Sequence, residues 1–95
     1  MNICKADIVV SLAGRDQGQL MFVVDLDDQY AVLANGRSRK LENPKRKKLK
    51  HLRFAARIDS TVSRKLLSGD KVLNSELRRD LAIYGQEFNS QNQGG

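Results

Sequence analysis

The amino-acid sequence predicts one small, mainly β domain with four to five antiparallel strands and a C-terminal helical extension. Three observations favour this class. The chain has 95 residues, which suffices for a single hydrophobic core. Between residues 7 and 55, short runs of alternating or β-branched apolar residues are separated by turns rich in glycine, aspartate and asparagine. From residue 58 onward, the apolar residues recur every three or four positions, as they do on one face of a helix.

The first two predicted strands are joined by a turn that contains two glycines. Residues 7–13 are rich in β-branched side chains, and the turn at residues 14–18 reads GRDQG. Residues 20–26 carry apolar side chains on both faces, which predicts a central strand buried on both sides. The positions assigned to one face are Ile8, Val10 and Leu12 in the first strand, and Leu20, Phe22, Val24 and Leu26 in the second. The opposite face of the second strand carries Met21 and Val23.

Two further strands, and an optional fifth, follow along the chain. A polar turn at residues 27–29 leads to a third strand at residues 30–34. Such short connections require antiparallel pairing, because a parallel pair needs a crossover of a dozen or more residues. Residues 42–48 are predicted to be loop, and residues 49–55 alternate again and predict a fourth strand. Residues 55–59 either form a short fifth strand, which we favour, or lead into the first helix.

The last third of the chain predicts two helices that pack on the β part. Apolar residues every four positions, followed by Gly69, predict a helix over residues 60–68. Asn74 is predicted to cap a second helix by accepting a hydrogen bond from a first-turn amide. The apolar stripe of that helix consists of Leu77, Leu81, Tyr84 and Phe88. The expected organisation is a β part over residues 1–59, a helical extension over residues 60–88 and a disordered tail over residues 89–95.

Positive charge is concentrated in one part of the chain. The net charge is +6, and residues 37–57 hold ten basic groups and one acidic group. Such a concentration on an otherwise balanced domain predicts a polyanionic partner, either nucleic acid or anionic lipid. Pro44 fixes its own φ angle and biases Asn43 away from the helical region, so the loop should present its charges on a stiff bend.

The sequence offers no catalytic or metal-binding pattern, and no cofactor is expected. Cys4 is the only cysteine and His51 the only histidine, which leaves no nucleophile and base pair. The aspartates at residues 25–28 fit turn chemistry and lack the spacing of a calcium loop. Because no apolar run reaches roughly 20 residues, and the N-terminus lacks a signal-peptide pattern, we expect a cytoplasmic protein with no membrane attachment.

The order of these features resembles the KOW motif, a glycine loop with its flanking strands in SH3-like barrels of ribosomal proteins and transcription elongation factors. Residues 5–55 resemble the small KOW-domain RNA-binding proteins of bacteria, which are similar to the e-type large-subunit ribosomal protein fourteen of archaea and eukaryotes. The resemblance is carried by GRDQG, by NGRSRKL at residues 35–41 and by the basic run after Pro44 that ends in KHL. It implies an SH3-like barrel that binds RNA without catalysis, with ribosomal RNA or the ribosome as the expected partner.

The candidate RNA-binding residues follow from the resemblance and from the charge pattern together. The resemblance implies contacts by Gly14, Arg15, Gly18, Arg37, Arg39, Lys40, Lys45, Arg46, Lys47 and Lys48. The set is completed by Arg53 and by Lys50 and His51 of the KHL sequence, where His51 could stack on a base or contact a phosphate. Arginine has a planar fork that suits phosphate or a guanine edge, whereas lysine is a mobile point charge. We therefore expect directional contacts from the arginines and charge density from the lysines.

Two other functions remain open at this level, and the oligomeric state is not predicted. The chain could be a protein-interaction module of the transcription or translation machinery, because KOW barrels can dock proteins and exposed β edges accept added strands. It could also attach to anionic membranes through its basic segment. The sequence contains no lipidation motif and no basic amphipathic helix, so the membrane alternative ranks last.

Overall fold

Five strands and two α-helices make up the part of the chain that the computed structural model describes. This part covers residues 2–93, with side chains described for residues 2–86. The strands are β1 Ile8–Ser11, β2 Leu20–Leu26, β3 Tyr30–Ala34, β4 Lys45–Lys48 and β5 Leu52–Ala56. The helices are α1 Thr61–Ser68 and α2 Asn74–Gln93, and a 3-10 helix spans Leu49–His51. The predicted class, mainly β with a helical extension, is confirmed.

The strands form one antiparallel sheet in the order β4-β3-β2-β1-β5. β4 and β5 are its two edges, yet only the 3-10 helix Leu49–His51 separates them along the chain. Three residues of 3-10 helix rise about 6 Å, so the two edges meet at this corner. The corner is held by the backbone amide of Leu49, which donates to the carbonyl of Gln29 at 2.8 Å, and by that of Leu12, which donates to His51 at 2.9 Å. β4 and β5 do not pair with each other, so the sheet remains open.

The basic run at residues 45–48 is strand β4, and its prediction as loop is wrong. Each of its residues pairs with β3, from Lys45 opposite Leu33 to Lys48 opposite Tyr30. Lysines are common on edge strands because their charge blocks pairing with other chains. The predicted fourth strand starts later than expected, at Leu52, because Leu49–His51 turn the chain from one edge of the sheet to the other. It is the fifth strand of the sheet and ends at residue 56. The separate strand favoured over residues 55–59 is therefore wrong, because residues 57–59 belong to no strand.

The sheet is packed on both faces, as the pattern of β2 predicts. One face of the sheet buries a cluster formed by Val9, Met21, Val23, Ala31, Leu33 and Leu52. The other face packs against the helices through Ala6, Ile8, Phe22, Ala34, Val62, Leu66, Leu77 and Leu81. Neighbouring residues of β2 belong to different clusters because successive strand side chains point to opposite faces.

Two of the predicted face assignments are wrong. The pairing of β2 with β3 shifts between Val23 and Asp25, so Val24 is an extra residue in β2. This bulge reverses the alternation, and Leu26 packs on the cluster of Met21 and Val23 rather than on that of Phe22. β1 ends at Ser11, so Leu12 lies beyond the strand and is 44% exposed.

Both helices begin near their predicted positions, but the hydrogen bonds at the start of the second helix differ from the prediction. α1 is capped by Ser60, whose hydroxyl accepts from the amide of Ser63, and Gly69 ends it in the left-handed region at φ 80°. At the start of α2, the Asn74 amide oxygen accepts from the backbone of Leu41 at 2.8 Å, so its predicted capping role is wrong. The Glu76 carboxylate accepts from the amide of Leu73 at 3.0 Å instead.

The apolar stripe of α2 packs on the sheet at Leu77, Leu81 and Tyr84, as predicted. The side chain of Phe88, the fourth member, lies outside the described residues. The assigned helix continues past residue 88 to Gln93, and residues 94 and 95 of the predicted tail lie outside the described part.

The start of α2 lies directly against the chain that follows β3. Gly36 has a φ angle of 78°, and a Cβ atom there would overlap the carbonyl oxygen of Asn74. One guanidinium nitrogen of Arg78, Nη1, donates to the carbonyl of Gly36 at 2.7 Å. Only glycine permits this approach, which places α2 beside the basic residues that follow β3.

Candidate nucleic-acid interface

The glycine loop, residues 14–18 between β1 and β2, is a fixed turn. Gly14 and Gly18 have φ angles of 83° and 86°, in the left-handed region that glycine adopts without strain. The amide of Gln17 donates to the carbonyl of Gly14 at 3.2 Å, and that of Gly18 to Ser11 at 2.8 Å. The prediction of a turn at GRDQG is confirmed.

A second fixed turn, residues 35–39 after β3, is called the arginine turn below. The side-chain oxygen of Asn35 accepts from the backbone amides of Arg37 at 2.9 Å and Arg39 at 3.0 Å. The Asn35 side-chain nitrogen lies 3.3 Å from the amide oxygen of Gln19 and 3.1 Å from the hydroxyl of Ser38. Asn35 therefore sets the backbone from which both arginines project and joins this turn to the residue that follows the glycine loop.

These two turns and β4 enclose an open depression of about 510 Å³, called the main groove below. It is lined by Ala13, Gly14, Arg15, Asp16, Gln19, Ser38, Arg39, Lys45, Lys47 and His51. Six of the thirteen candidate residues meet in it: Gly14, Arg15, Arg39, Lys45, Lys47 and His51. The glycine loop, the arginine turn and β4, which are separate in sequence, thus contribute basic groups to one concave surface.

Lys47 is buried and bound inside the protein, although it belongs to the basic run. It is 8% exposed, and its ammonium donates to Ser11 Oγ at 2.6 Å, Ala13 O at 2.6 Å and Asp16 Oδ1 at 2.5 Å. These bonds use all three donors of a lysine. Lys47 therefore ties β4 to the end of β1 and to the glycine loop, and it shapes the main groove.

The carboxylate of Asp16 completes this buried pair. Burial by itself raises the pKa of Asp16, but the hydrogen bonds from Lys47 and Ser11 and the charge of Lys47 outweigh it, so the pKa lies below its ordinary value. The negative charge of Asp16 is thus retained and offsets that of Lys47. Composition alone does not reveal that Lys47 and Asp16 form this pair. A strand at residues 45–48 would place Lys45 and Lys47 on one face, because side chains alternate along a strand.

Three cations of the main groove have no ion-pair partner among the described residues: Arg15, Arg39 and Lys45. Arg15 projects from the glycine loop and is exposed, whereas Arg39 and Lys45 are half-buried. His51, the last residue of the 3-10 helix, is exposed and also lines the groove. The groove therefore has a net positive charge despite its buried Lys47 and Asp16.

Three candidate residues, two in β4 and one in the 3-10 helix that follows it, lie outside the main groove. Arg46 is exposed on β4, with its guanidinium 3.8 Å from the ring centre of Tyr30 and 3.7 Å from the Asp27 carboxylate. Lys48 and Lys50 line a separate shallow depression with Asp28, Gln29 and Leu49. The hairpin aspartates thus partly offset the positive charge on this side.

The four remaining candidates are dispersed. Gly18 closes the glycine loop without lining the main groove, and Lys40 is exposed beyond the arginine turn. Arg53 is exposed on β5 opposite Val10. Arg37 lines a second depression, which it shares with α2.

Neither a metal cluster nor a membrane-spanning helix is found in the described part of the chain. No group of three or more histidine, cysteine, aspartate or glutamate side chains there could hold a metal ion. None of the described helices combines the length and apolar character that crossing a bilayer requires.

Comparison with protein-family models and with curated proteins gives no match for this chain. The resemblance of residues 5–55 to KOW proteins therefore stays a prediction.

Proposed function

We propose that the chain is a noncatalytic RNA-binding protein whose main groove receives phosphates and exposed bases of a structured RNA. The observation that carries the proposal is the convergence of three unpaired cations, Arg15, Arg39 and Lys45, on one concave surface. Phosphate oxygens are the natural complement of such a surface. Through its resemblance to KOW proteins, ribosomal RNA is the expected class.

The contacts divide by side-chain chemistry. Arg15 and Arg39 can each donate two parallel hydrogen bonds to one phosphate, whereas Lys45 supplies a single charge. Gly14 lines the groove without a side chain, so a phosphate can approach the loop backbone closely. His51 offers a ring that can stack on an exposed base. Lys47 acts indirectly, by fixing the glycine loop against β4.

Binding of this kind should depend on charge and shape more than on base sequence. No phenylalanine, tyrosine or tryptophan among the described residues lines the main groove. Tyr30 lies outside it, and Arg46 covers its ring. Without a row of aromatic side chains, extended base stacking contributes little, and phosphate contacts dominate the affinity.

At the level of fold, we propose that the sheet is a small SH3-like barrel. Two observations support this: the sheet edges β4 and β5 are consecutive strands joined by three residues, and one face of the sheet buries the apolar cluster that contains Val9 and Met21. The glycine loop joins the first two strands, which is the position that the KOW resemblance gives it.

The proposal is tested by removing two of the unpaired cations. We expect Arg39→Gln with Lys45→Gln to weaken RNA binding by about tenfold or more, because each charge-assisted contact contributes on the order of 1.5 kcal/mol. Lys71→Gln is the matched control, since Lys71 is exposed and lines neither the main groove nor the second depression that Arg37 lines. Equal RNA affinity of the double variant and the control, measured by fluorescence anisotropy, would reject the main groove as the site.

The open sheet edges favour a second candidate, a protein-interaction module. β4 and β5 each have one side without a strand partner, and a peptide could add there as a further strand. The basic side chains of β4 oppose this at one edge. Purified protein that carries nuclease-sensitive nucleic acid, detected by its absorbance at 260 nm, supports RNA binding; protein free of nucleic acid that captures a peptide supports the alternative.

A further inference from the structure

A second depression, called the helix groove below, lies beside the main groove. It has a volume of about 450 Å³ and is lined by Gln19, Leu20, Asn35, Arg37, Ser38, Arg78, Leu81 and Ala82. Gln19 and Ser38 line both grooves, and the hydroxyl of Ser38 lies 3.3 Å from the amide oxygen of Gln19. The two grooves are thus neighbours that share one polar rim.

Among the described residues, the lining of the helix groove contains two arginines and no acidic side chain. Arg37 is exposed, and its side chain has no hydrogen-bond or ion-pair partner in the described part. Arg78 uses one nitrogen to bond the carbonyl of Gly36 and is half-buried. A guanidinium has five N–H donors, so most of those on Arg78 remain free for a ligand.

Two acidic residues of α2 among the described side chains, Glu76 and Asp80, lie away from this groove. Glu76 and Asp80 line a different depression, next to the start of α1, together with Arg79. Glu76 is paired with Lys65 at 3.0 Å. Arg78 therefore lines the helix groove, whereas the adjacent Arg79 lines the depression that contains Glu76 and Asp80.

Three residues of the helix-groove lining are apolar. Leu81 is buried, Leu20 is half-buried and Ala82 is exposed. A base or ribose of an unpaired nucleotide can pack on such a surface, because it is not part of a base-stacked RNA duplex. An A-form duplex keeps its bases stacked inside and presents mainly phosphates and 2′-hydroxyls, which would leave these apolar side chains without a partner.

We propose that a single-stranded segment of RNA runs from the main groove across Gln19 and Ser38 into the helix groove. There Arg37 and Arg78 bind phosphates, and a base or ribose packs against Leu20 and Ala82. This inference rests on the proposed function and adds α2 to the interface. The helical extension thus lengthens the binding surface as well as covering the sheet.

The test compares short and long oligouridine, of about 4 and about 12 nucleotides, within the range of site sizes known for small single-strand-binding folds. We expect Arg37→Gln with Arg78→Gln to weaken binding of the long RNA about 100-fold, because two charge-assisted contacts are lost and each contributes about tenfold. Binding of the short RNA, which the three cations of the main groove favour, should change little. Arg79→Gln is the matched control on the opposite side of α2 and should leave both affinities unchanged.

The outcomes separate this inference from the proposed function. If the main-groove variant loses affinity while the Arg37 and Arg78 variant binds the long RNA normally, the inference is wrong and the proposed function stands. If the main-groove variant also binds normally, the proposed function is wrong. Because Arg78 also bonds Gly36, Arg37→Gln is measured alone, and it should still weaken binding of the long RNA selectively.

A complementary strand tests the single-stranded part of the inference. Annealing it to the long oligouridine should abolish the dependence of affinity on Arg37 and Arg78. If the duplex shows the same dependence as the free strand, recognition of an unpaired segment is wrong.

Discussion

The two faces of β4 carry the same kind of side chain in different surroundings. Lys45 and Lys47 line the main groove, where Lys47 is buried against Asp16 and Lys45 has no ion-pair partner. Arg46 and Lys48 are exposed on the other face, where Arg46 packs over Tyr30. Four consecutive basic residues thus supply one unpaired cation to the proposed site. Alternation along the strand, more than charge density, decides which of them faces the proposed RNA site.

The largest expected difference between the two faces concerns stability. Lys47→Met should lower the free energy of unfolding by about 3 kcal/mol, because it leaves the Asp16 carboxylate buried without its partner. Arg46→Met replaces the neighbouring basic residue by the same side chain. It should lower the free energy of unfolding by less than about 1 kcal/mol, since the Arg46 side chain is 62% exposed. Urea unfolding of both variants checks this comparison, and equal losses would contradict the structural role of Lys47.

The pair of Lys47 and Asp16 also predicts a dependence of stability on pH. The pKa of Asp16 is lower in the folded chain than its ordinary value of 3.8, so its stabilising contribution is complete above that value. It is lost as the pH falls through the lowered folded pKa. Between pH 5 and pH 2, the wild type should therefore lose more unfolding free energy than Asp16→Asn. Parallel curves for the two proteins would show that the pair contributes no pH dependence.

A smaller effect is expected on RNA affinity. Lys45→Gln should weaken binding about threefold to tenfold, whereas Lys48→Gln should change it less than twofold, since one phosphate contact is lost only in the first case. Both substitutions remove one lysine charge from the same strand. Equal losses, measured by anisotropy at fixed salt, would indicate that RNA senses the overall charge and not the groove.

The strands β1 to β3 and the helix α1 were predictable because local signals suffice for them. β-branched runs bounded by glycine and aspartate specify the first three strands, and Ser60 with Gly69 brackets α1. The positive φ angles of the glycine loop follow from its two glycines in the same way. In each case the residues that determine the structure are neighbours in sequence.

The errors arise where distant residues decide. Residues 45–48 become a strand because β3 offers them a partner, a pairing that the basic run does not reveal. Leu26 changes face because a bulge inserts Val24, and alternation alone cannot locate a bulge. Asn74 bonds Leu41, which lies 33 residues away, and not its own helix.

The candidate site was predictable in composition but not in arrangement. The glycine loop and the basic segment were identified, and six of the predicted residues line one groove. The burial of Lys47 depends on Ser11 and Asp16, which carry no charge pattern that would single them out. Arg78 lies in a helix that was expected only to cover the sheet, so its place beside Arg37 required the close approach at Gly36.

The salt dependence of binding to single-stranded RNA tests the central claim most directly. Among the described residues, five cations without an ion-pair partner line the two grooves: Arg15, Arg37, Arg39, Lys45 and Arg78. At about −0.7 per contact, the slope of log affinity against log salt should be about −3.5, or about 100-fold weaker binding at 200 mM than at 50 mM salt. Loss of Arg37 and Arg78 should reduce this slope to about −2. An affinity that stays constant across the same range would contradict binding through the groove cations.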